Sequence, residues 1–446
     1  MLRPPFSLVA AAAVSLGAAR TPALAQAPID ADLTRYISGI RAIDNHAHPM
    51  RPVAPGAPAD SEFDALPLDG IPAFDLPNRL KADDPIWRAA QNALYKIPRD
   101  QTGPAYHNAL KGAVAAAIKT RGQAFPDWAL DQSNIDIMMA NRIAMGPGLS
   151  PARFKWIAFA DALMLPLDTK AEAARTPDTR PLYPREAKLL QRYLRDLNVK
   201  AIPATLDEYV RTVVNATLQR EKSNGAAGVK FEAAYLRPLD FDDPDAAAAQ
   251  RTYAKYARGG VPTHAEYKNL EDYLFRAIAR EAGRLKLPIQ IHVLEAFGGF
   301  YSPRGSAPHL LEPAFNDSTL RATKFIIVHG GWPLVGETQG MISKPNVYAD
   351  ISMMDAILSP TVLAGVLRQW LGEFPEKVLF GTDAFDGGAE QGWEQVAWVG
   401  STTARRALAI ALTGMLRDGE IDRERAQTLA RMVLHDNAAA LYGLLK

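Results

Sequence analysis

The chain has 446 residues, 48% of them hydrophobic and 22% charged, which is enough apolar material for a large buried core and too much for a disordered chain. Lys and Arg number 50 against 49 Asp and Glu, so no excess of positive charge marks the chain for nucleic acid. It contains no Cys, which excludes a thiol nucleophile, a thiolate metal site and disulfides, and leaves His, Asp, Glu or a modified Lys to hold any metal.

In chain order, residues 1–25 carry Arg3, an apolar run from Phe6 to Ala19 and the small-residue end Ala23-Leu24-Ala25, the three-part pattern of a cleaved secretory signal. Removing them takes Arg3 and Arg20 and leaves 48 basic and 49 acidic residues, a formal charge of −1. No later segment reads as a membrane span, and no Cys stands at the cleavage point for lipid attachment. The expectation is a periplasmic or secreted protein, residues 26–446 forming one domain.

"IRAIDNHAH" is the first strand candidate, followed by "NIDIMMANRIA" and "FKWIAFADALML". From about residue 200 the chain alternates amphipathic stretches with short apolar runs, the pattern of helix followed by buried parallel strand. The runs are "GVKFEAAYL", "PIQIHV", "KFIIVHGG", "NVYADIS" and "KVLFGTDA". Three and five make eight, the count of a (β/α)8 TIM barrel. An open doubly wound sheet is the rival, but it leaves unexplained why polar residues end strands along the whole chain. Two segments do not fit the alternation. About 49–132, rich in Pro and containing a helical stretch "HNALKGAVAAAIK", reads as a long insertion after the first strand; about 165–204, with "REAKLLQRYLRDL", reads as a helical insertion before the fourth.

Residues two apart on a strand face the same side, so His46 and His48 both face the barrel axis at its mouth. Alone, the pair is equally a set of satisfied polar residues in a turn ending at Pro49. His292, His329 and Asp383 then close three further apolar runs, and with the first pair they make an N/O cluster suited to zinc, manganese, iron or nickel. Lys230, in the fourth run, reads either as an ion-paired lysine with Glu232 or, buried beside metals, as a carbamate that bridges two cations. Trp156, Asp161 and Trp332 lie near strand ends and are pocket or packing candidates. The glycines of "HGG" allow either close backbone approach or a sharp turn. His107, His264, His309 and His435 lie in loops or helices and read as surface or structural, and Asn437 as a cap or brace of the last helix.

These motifs together resemble the amidohydrolase superfamily, and within it the amidohydrolase-related group of metal-dependent TIM-barrel hydrolases. "DNHAH", "GVKFEAAYLR", "PIQIHV", "IIVHGGWP", "NVYADIS", "LFGTDA" and the closing "NAAALYGL" carry the resemblance, over roughly residues 38–50 and 200–446. It implies that His46, His48 and Asp383 hold one metal and His292 and His329 a second, with Lys230 as the carboxylated bridge and zinc as the favoured ion. Single-metal relatives instead use the sixth-strand histidine, here His329, to hydrogen-bond substrate or water. "KFEAAYLR" is similar to the "K…AYR" pattern of the amidohydrolase half of glutamine-synthetase-like fusion proteins, with Leu236 between Tyr235 and Arg237. Tyr235, Arg237 and Trp332 are the expected substrate contacts.

The expected activity is hydrolysis of an amide, ester or related C–N or C–O bond of a small molecule by metal-activated water, with Asp383 passing the proton. The alternative is a single-metal decarboxylase on the same fold, distinguished by release of carbon dioxide without incorporation of water. A third reading, a binding protein on an old enzyme scaffold, calls for a lost ligand, and all six positions are filled. A homo-oligomer is compatible with the sequence.

Overall fold

A computed structural model describes residues 28–444 apart from 54–57, 68–70, 73–74, 99–102, 295–300 and 389; the expected leader, residues 1–25, lies outside the described residues. Eight parallel strands follow one another around a single sheet: β1 (Ala42–Ala47), β2 (Ile135–Arg142), β3 (Phe154–Phe159), β4 (Ala226–Phe231), β5 (Ile289–His292), β6 (Phe325–Val328), β7 (Val347–Asp350) and β8 (Val378–Leu379). Each pairs in parallel with the next, as in His292 opposite Val328 between β5 and β6. The last joins the first. Asn45 donates its backbone N–H to Phe380 O at 2.8 Å, Asp383 to His46 O at 2.7 Å and His48 to Ala384 O at 2.8 Å, so the sheet closes into a (β/α)8 barrel and the open-sheet rival is excluded.

The strands read as apolar runs because they are buried on both sides. β5 and β6 are wholly buried, one face turned into the barrel and the other under helices, and their Ile, Val and Phe side chains fill both. A helix such as His264–Arg284, opened by a capping box between Thr263 and Glu266, returns the chain from one strand to the next.

The insertion after β1 folds over the mouth. It contains the helices Pro85–Tyr95, Gly103–Arg121 and Phe125–Gln132, of which the sequence pattern had marked the second. Trp87, fully buried, and Leu66 and Leu80 tie it to the core. Its root is electrostatic. Arg142, the last residue of β2 and wholly buried, donates to Pro49 O at 2.6 Å and pairs with Asp60 at 2.9 Å, and Arg51 reaches the same carboxylate at 3.0 Å. The second insertion carries the helices Lys170–Arg175 and Tyr183–Asp196. Tyr193 OH donates to Phe159 O and Tyr183 OH to Leu236 O, both at 2.7 Å, pressing the longer helix onto the ends of β3 and β4. No helix among the described residues is long and apolar enough to cross a membrane.

Candidate metal centre and active site

The barrel gathers His46, His48, Lys230, His292, His329 and Asp383 at one mouth, where they line a cavity of about 400 Å³. His46 Nε2 lies 3.1 Å and His48 Nε2 3.6 Å from Asp383 Oδ1; Lys230 Nζ is 3.1 Å from His46 Nε2; His329 Nε2 is 3.1 Å from His292 Nδ1. With metal–ligand bonds near 2.0–2.1 Å, two ligands of one tetrahedral ion stand about 3.3 Å apart, so these spacings suit ligands sharing cations. The buried atoms also leave room for one. His48 Nδ1, His292 Nε2 and Glu232 Oε2 have no hydrogen-bond partner, a costly arrangement without a ligand. The donor set of this chain therefore fits a divalent metal, with His46, His48 and Asp383 forming a candidate site by themselves.

Protonation agrees with ligation. Burial, reinforced by neighbouring positive charge and imidazoles, holds His46, His48 and His292 well below the usual histidine range; burial does the same for His329 against the opposing pull of Asp383. A neutral imidazole has one lone pair, and a second layer of residues decides where it points. Gln290 Nε2 donates to Asn45 O at 2.5 Å and Tyr442 OH at 2.9 Å, which turns its Oε1 toward His46 Nδ1 at 2.8 Å. Asn141 also lies 2.8 Å from His46 Nδ1; with Gln290 Oε1 as acceptor the proton belongs on Nδ1, and Nε2 faces Asp383 and Lys230. Ser352 Oγ donates to Asp350 Oδ1 at 2.7 Å and is left to accept from His329 Nδ1 at 3.0 Å, so the His329 lone pair also sits on Nε2.

The backbone bends to make these placements. His329 and Asp383 have φ of 64° and 51°, a region sparsely used by residues with a side chain. The "HGG" glycines serve the turn and its packing: Gly330 has φ 57°, and a Cβ there would stand 2.6 Å from Met354 Sδ. Sharp reversal, not approach to a ligand, accounts for them.

Other expected residues divide. Tyr235 lines the cavity, its ring centroid 4.7 Å from that of His292. Arg237 does not. It is buried in a pairing with Glu271 at 3.0 Å and Asp272 at 2.8 Å, and it faces a neighbouring cavity on the far side of Tyr235. Trp332 is partly buried against the hydrophobic core and is not among the residues lining the metal cavity. Trp156 donates from Nε1 to Arg142 O at 2.8 Å, a packing role. Asp161 stands behind the site and accepts the Glu232 backbone N–H at 2.8 Å. Asn437 braces the last turn against Pro375 O and Val378 O.

Sequence reading missed the second layer and two of the acids around the cavity, Asp64 and Glu186. Gln290 could have been found, as a polar residue two before His292 inside the apolar run "PIQIHV". Asp64 and Glu186, which belong to the insertions, had no periodic signal. Asp64 lines the cavity, burial pushing its carboxyl up to about 6, and with Glu232, Asp161 and Glu186 it forms a cluster of carboxyls raised first by burial.

A parallel barrel with His, Lys and Asp converging at the ends of β1, β4, β5, β6 and β8 is the architecture of a metal-dependent barrel enzyme. The amidohydrolase family model matches residues 199–444, and the chain belongs to that family. Its fold is similar to that of a protein from Lactobacillus casei assigned as a metal-dependent hydrolase, at 17% identity and TM-score 0.57, covering 94% of this chain and 98% of the other. Glucuronate isomerase from Caulobacter crescentus (14% identity, TM-score 0.56, 93% and 94% covered) and uronate isomerase from Thermotoga maritima (12%, 0.52, 92% and 96%) share the fold as well. No curated protein matches the chain significantly.

Proposed function

We propose that the protein is a hydrolase of a C–N or C–O bond, an amide or ester, that works with one or two divalent metal ions. The observation that supports it is the convergence of four buried histidines, Lys230 and Asp383 on a single cavity of a chain of the amidohydrolase family. His46, His48 and Asp383 would hold one ion, His292 and His329 a second, and Lys230, carboxylated, would bridge them; zinc is the ion we favour. A cation bound there supplies Lewis acidity and draws the pKa of a coordinated water toward neutrality.

The chain's own residues do the rest. Asp383 lies among His46, His48 and His329, its Oδ2 3.9 Å from His329 Nδ1, where it can take the proton of the attacking water and return it to the leaving nitrogen or oxygen. Ser352 and Asp350 fix the His329 ring. Phe63, Leu66 and Leu80 form an apolar wall that binds the body of the substrate and excludes water. We place the protein outside the cytoplasm on the strength of the signal-like residues 1–25.

Dialysis against a strong chelator should abolish hydrolysis of an amide and ester panel, and zinc or manganese should restore it. Full activity in protein verified as metal-free would end the proposal. Release of carbon dioxide from a carboxylated substrate, without solvent oxygen in the product, would make it a lyase.

A further inference from the structure

The cavity is lined by acids as well as histidines. Beside His48 and Lys230 stand Asp64, from the insertion after β1, and Glu232, just beyond β4; ligand atoms of Asp64, Glu232 and His48 lie within 4.8 Å of one another. Both residues line the cavity. Glu232 is 4% exposed, and its Oε2 has no hydrogen-bond partner. Behind it, Asp161 Oδ1 and both oxygens of Glu186 are buried and equally without partners.

Positive charge to match this wall is scarce. Lys230 Nζ stands 3.8 Å from Glu232 but turns to His46 at 3.1 Å. Arg237, the nearest arginine in sequence, is held by Glu271 and Asp272 and lies 3.5 Å from Asp240. Among the described residues no arginine lines the cavity. Cations on the histidine side have their own anion in Asp383, and His48 stands between, with Nε2 toward Asp383 and Nδ1 toward Asp64. A buried carboxyl oxygen without a partner is costly, and a cationic ligand would supply the missing donor.

We infer that Asp64 and Glu232 form a subsite for a cationic group of the substrate, an ammonium or guanidinium on an apolar body. The inference rests on the hydrolase reading and adds a substrate class to it. Phe63, Leu66 and Leu80 supply the apolar contacts, and Glu232 Oε2 supplies an open acceptor at the bottom. An anionic substrate end would meet acidic residues here and, among the described residues, no arginine; Arg237, expected as a substrate contact, is held away from the cavity by Glu271 and Asp272.

The test uses full-length, metal-loaded protein and two probes of one shape, benzylguanidine, a cation at pH 7, and benzylurea, which is neutral. Calorimetric titration should show the guanidine binding about tenfold more tightly, close to 1.4 kcal/mol. The preference should fall to near parity in Asp64→Asn and in Glu232→Gln, each checked for folding by circular dichroism and for metal content. Equal affinity of both probes for the wild type, or a preference unchanged in both variants, overturns the subsite. Loss of a metal ion from Asp64→Asn with the preference retained also overturns it, and assigns the acids to a metal. Since binding is read without turnover, these failures leave metal-dependent hydrolysis standing, and loss of metal dependence would not by itself change the probe preference.

Discussion

On the outer surface, His264 and His309 each face a carboxylate, Glu172 and Glu337, at 2.8 Å, His435 faces Asp436 at 2.9 Å, and His107 lies beside Glu390. At the barrel mouth, His46, His48, His292 and His329 face one another and share Asp383 and Lys230. The chain's eight histidines thus fall into two sets of the same chemistry and different surroundings. An exposed imidazole beside one acid is satisfied by water and a weak ion pair. Within the buried set, His48 Nδ1 and His292 Nε2 have no hydrogen-bond partner, which a ligand would supply. Position at the end of a strand, more than residue type, separates the sets.

The sharpest way to break this contrast is to remove a mouth residue. His46→Ala or Asp383→Asn should lower turnover by about 10³-fold or more, since the metal contribution to the transition state is several kcal/mol. Metal content should drop with it, as read by elemental analysis. Lys230→Ala should lose one ion per chain and most activity, and a short carboxylic acid in the medium should restore part of both. One ion per wild-type chain under metal-replete conditions, with an unmodified Lys230 amine, would replace the bridge by a single-metal site.

Next in size is a pair in which burial is fully compensated. Burial alone would raise the Asp60 carboxyl, but hydrogen bonds from Arg142 and Arg51 outweigh it and hold the group at about 2. The folded value lies below the unfolded one of about 3.9, so the pair's stabilisation is complete above pH 4 and is lost as the pH falls toward 2. Asp60→Asn should cost about 3–5 kcal/mol at pH 7, because Arg142 stays buried with its partner gone. Denaturant melts at pH 7 and pH 3 should show the gap between variant and wild type narrowing in acid; a constant gap would mean that packing, not charge, roots the insertion.

Gln290 comes third. Gln290→Leu removes the acceptor at His46 Nδ1, so metal affinity should fall about 10–100-fold, and the loss of its bonds to Asn45 O and Tyr442 OH should also lower the stability of the metal-free protein by about 1–3 kcal/mol. An unchanged affinity would show that Asn141 and packing orient His46 without Gln290.

What could be read from the sequence follows the same division. All eight strands and the mouth residues were legible, because a parallel barrel imposes an apolar run before each mouth and a polar residue at its end, as in "PIQIH" and "VLFGTD". The second layer was only half visible: Gln290 breaks an apolar run, but nothing local says that Tyr442, 152 positions on, turns its amide. Asp64 and Glu186 were illegible, since irregular and helical insertions carry no period that says which side chain enters the cavity. Arg237 shows the converse error. Its motif placed it near the substrate, and the acids that claim it, Glu271 and Asp272, lie on a helix more than thirty positions later.

The smallest effect is expected where the surface set can be sharpened directly. His309 is 55% exposed at its side chain and faces Glu337, itself 37% exposed. Water screens such a pair, and the entropy lost in holding two mobile side chains offsets much of what attraction remains. His309→Gln should therefore shift stability by no more than about 0.5 kcal/mol and leave metal content and turnover at wild-type values. The same replacement at His292, buried beside His329, should lower metal content and activity together. If His309→Gln also lost metal or turnover, the division of the histidines by strand-end position would fail, and the surface pair would have to be counted as part of the working site.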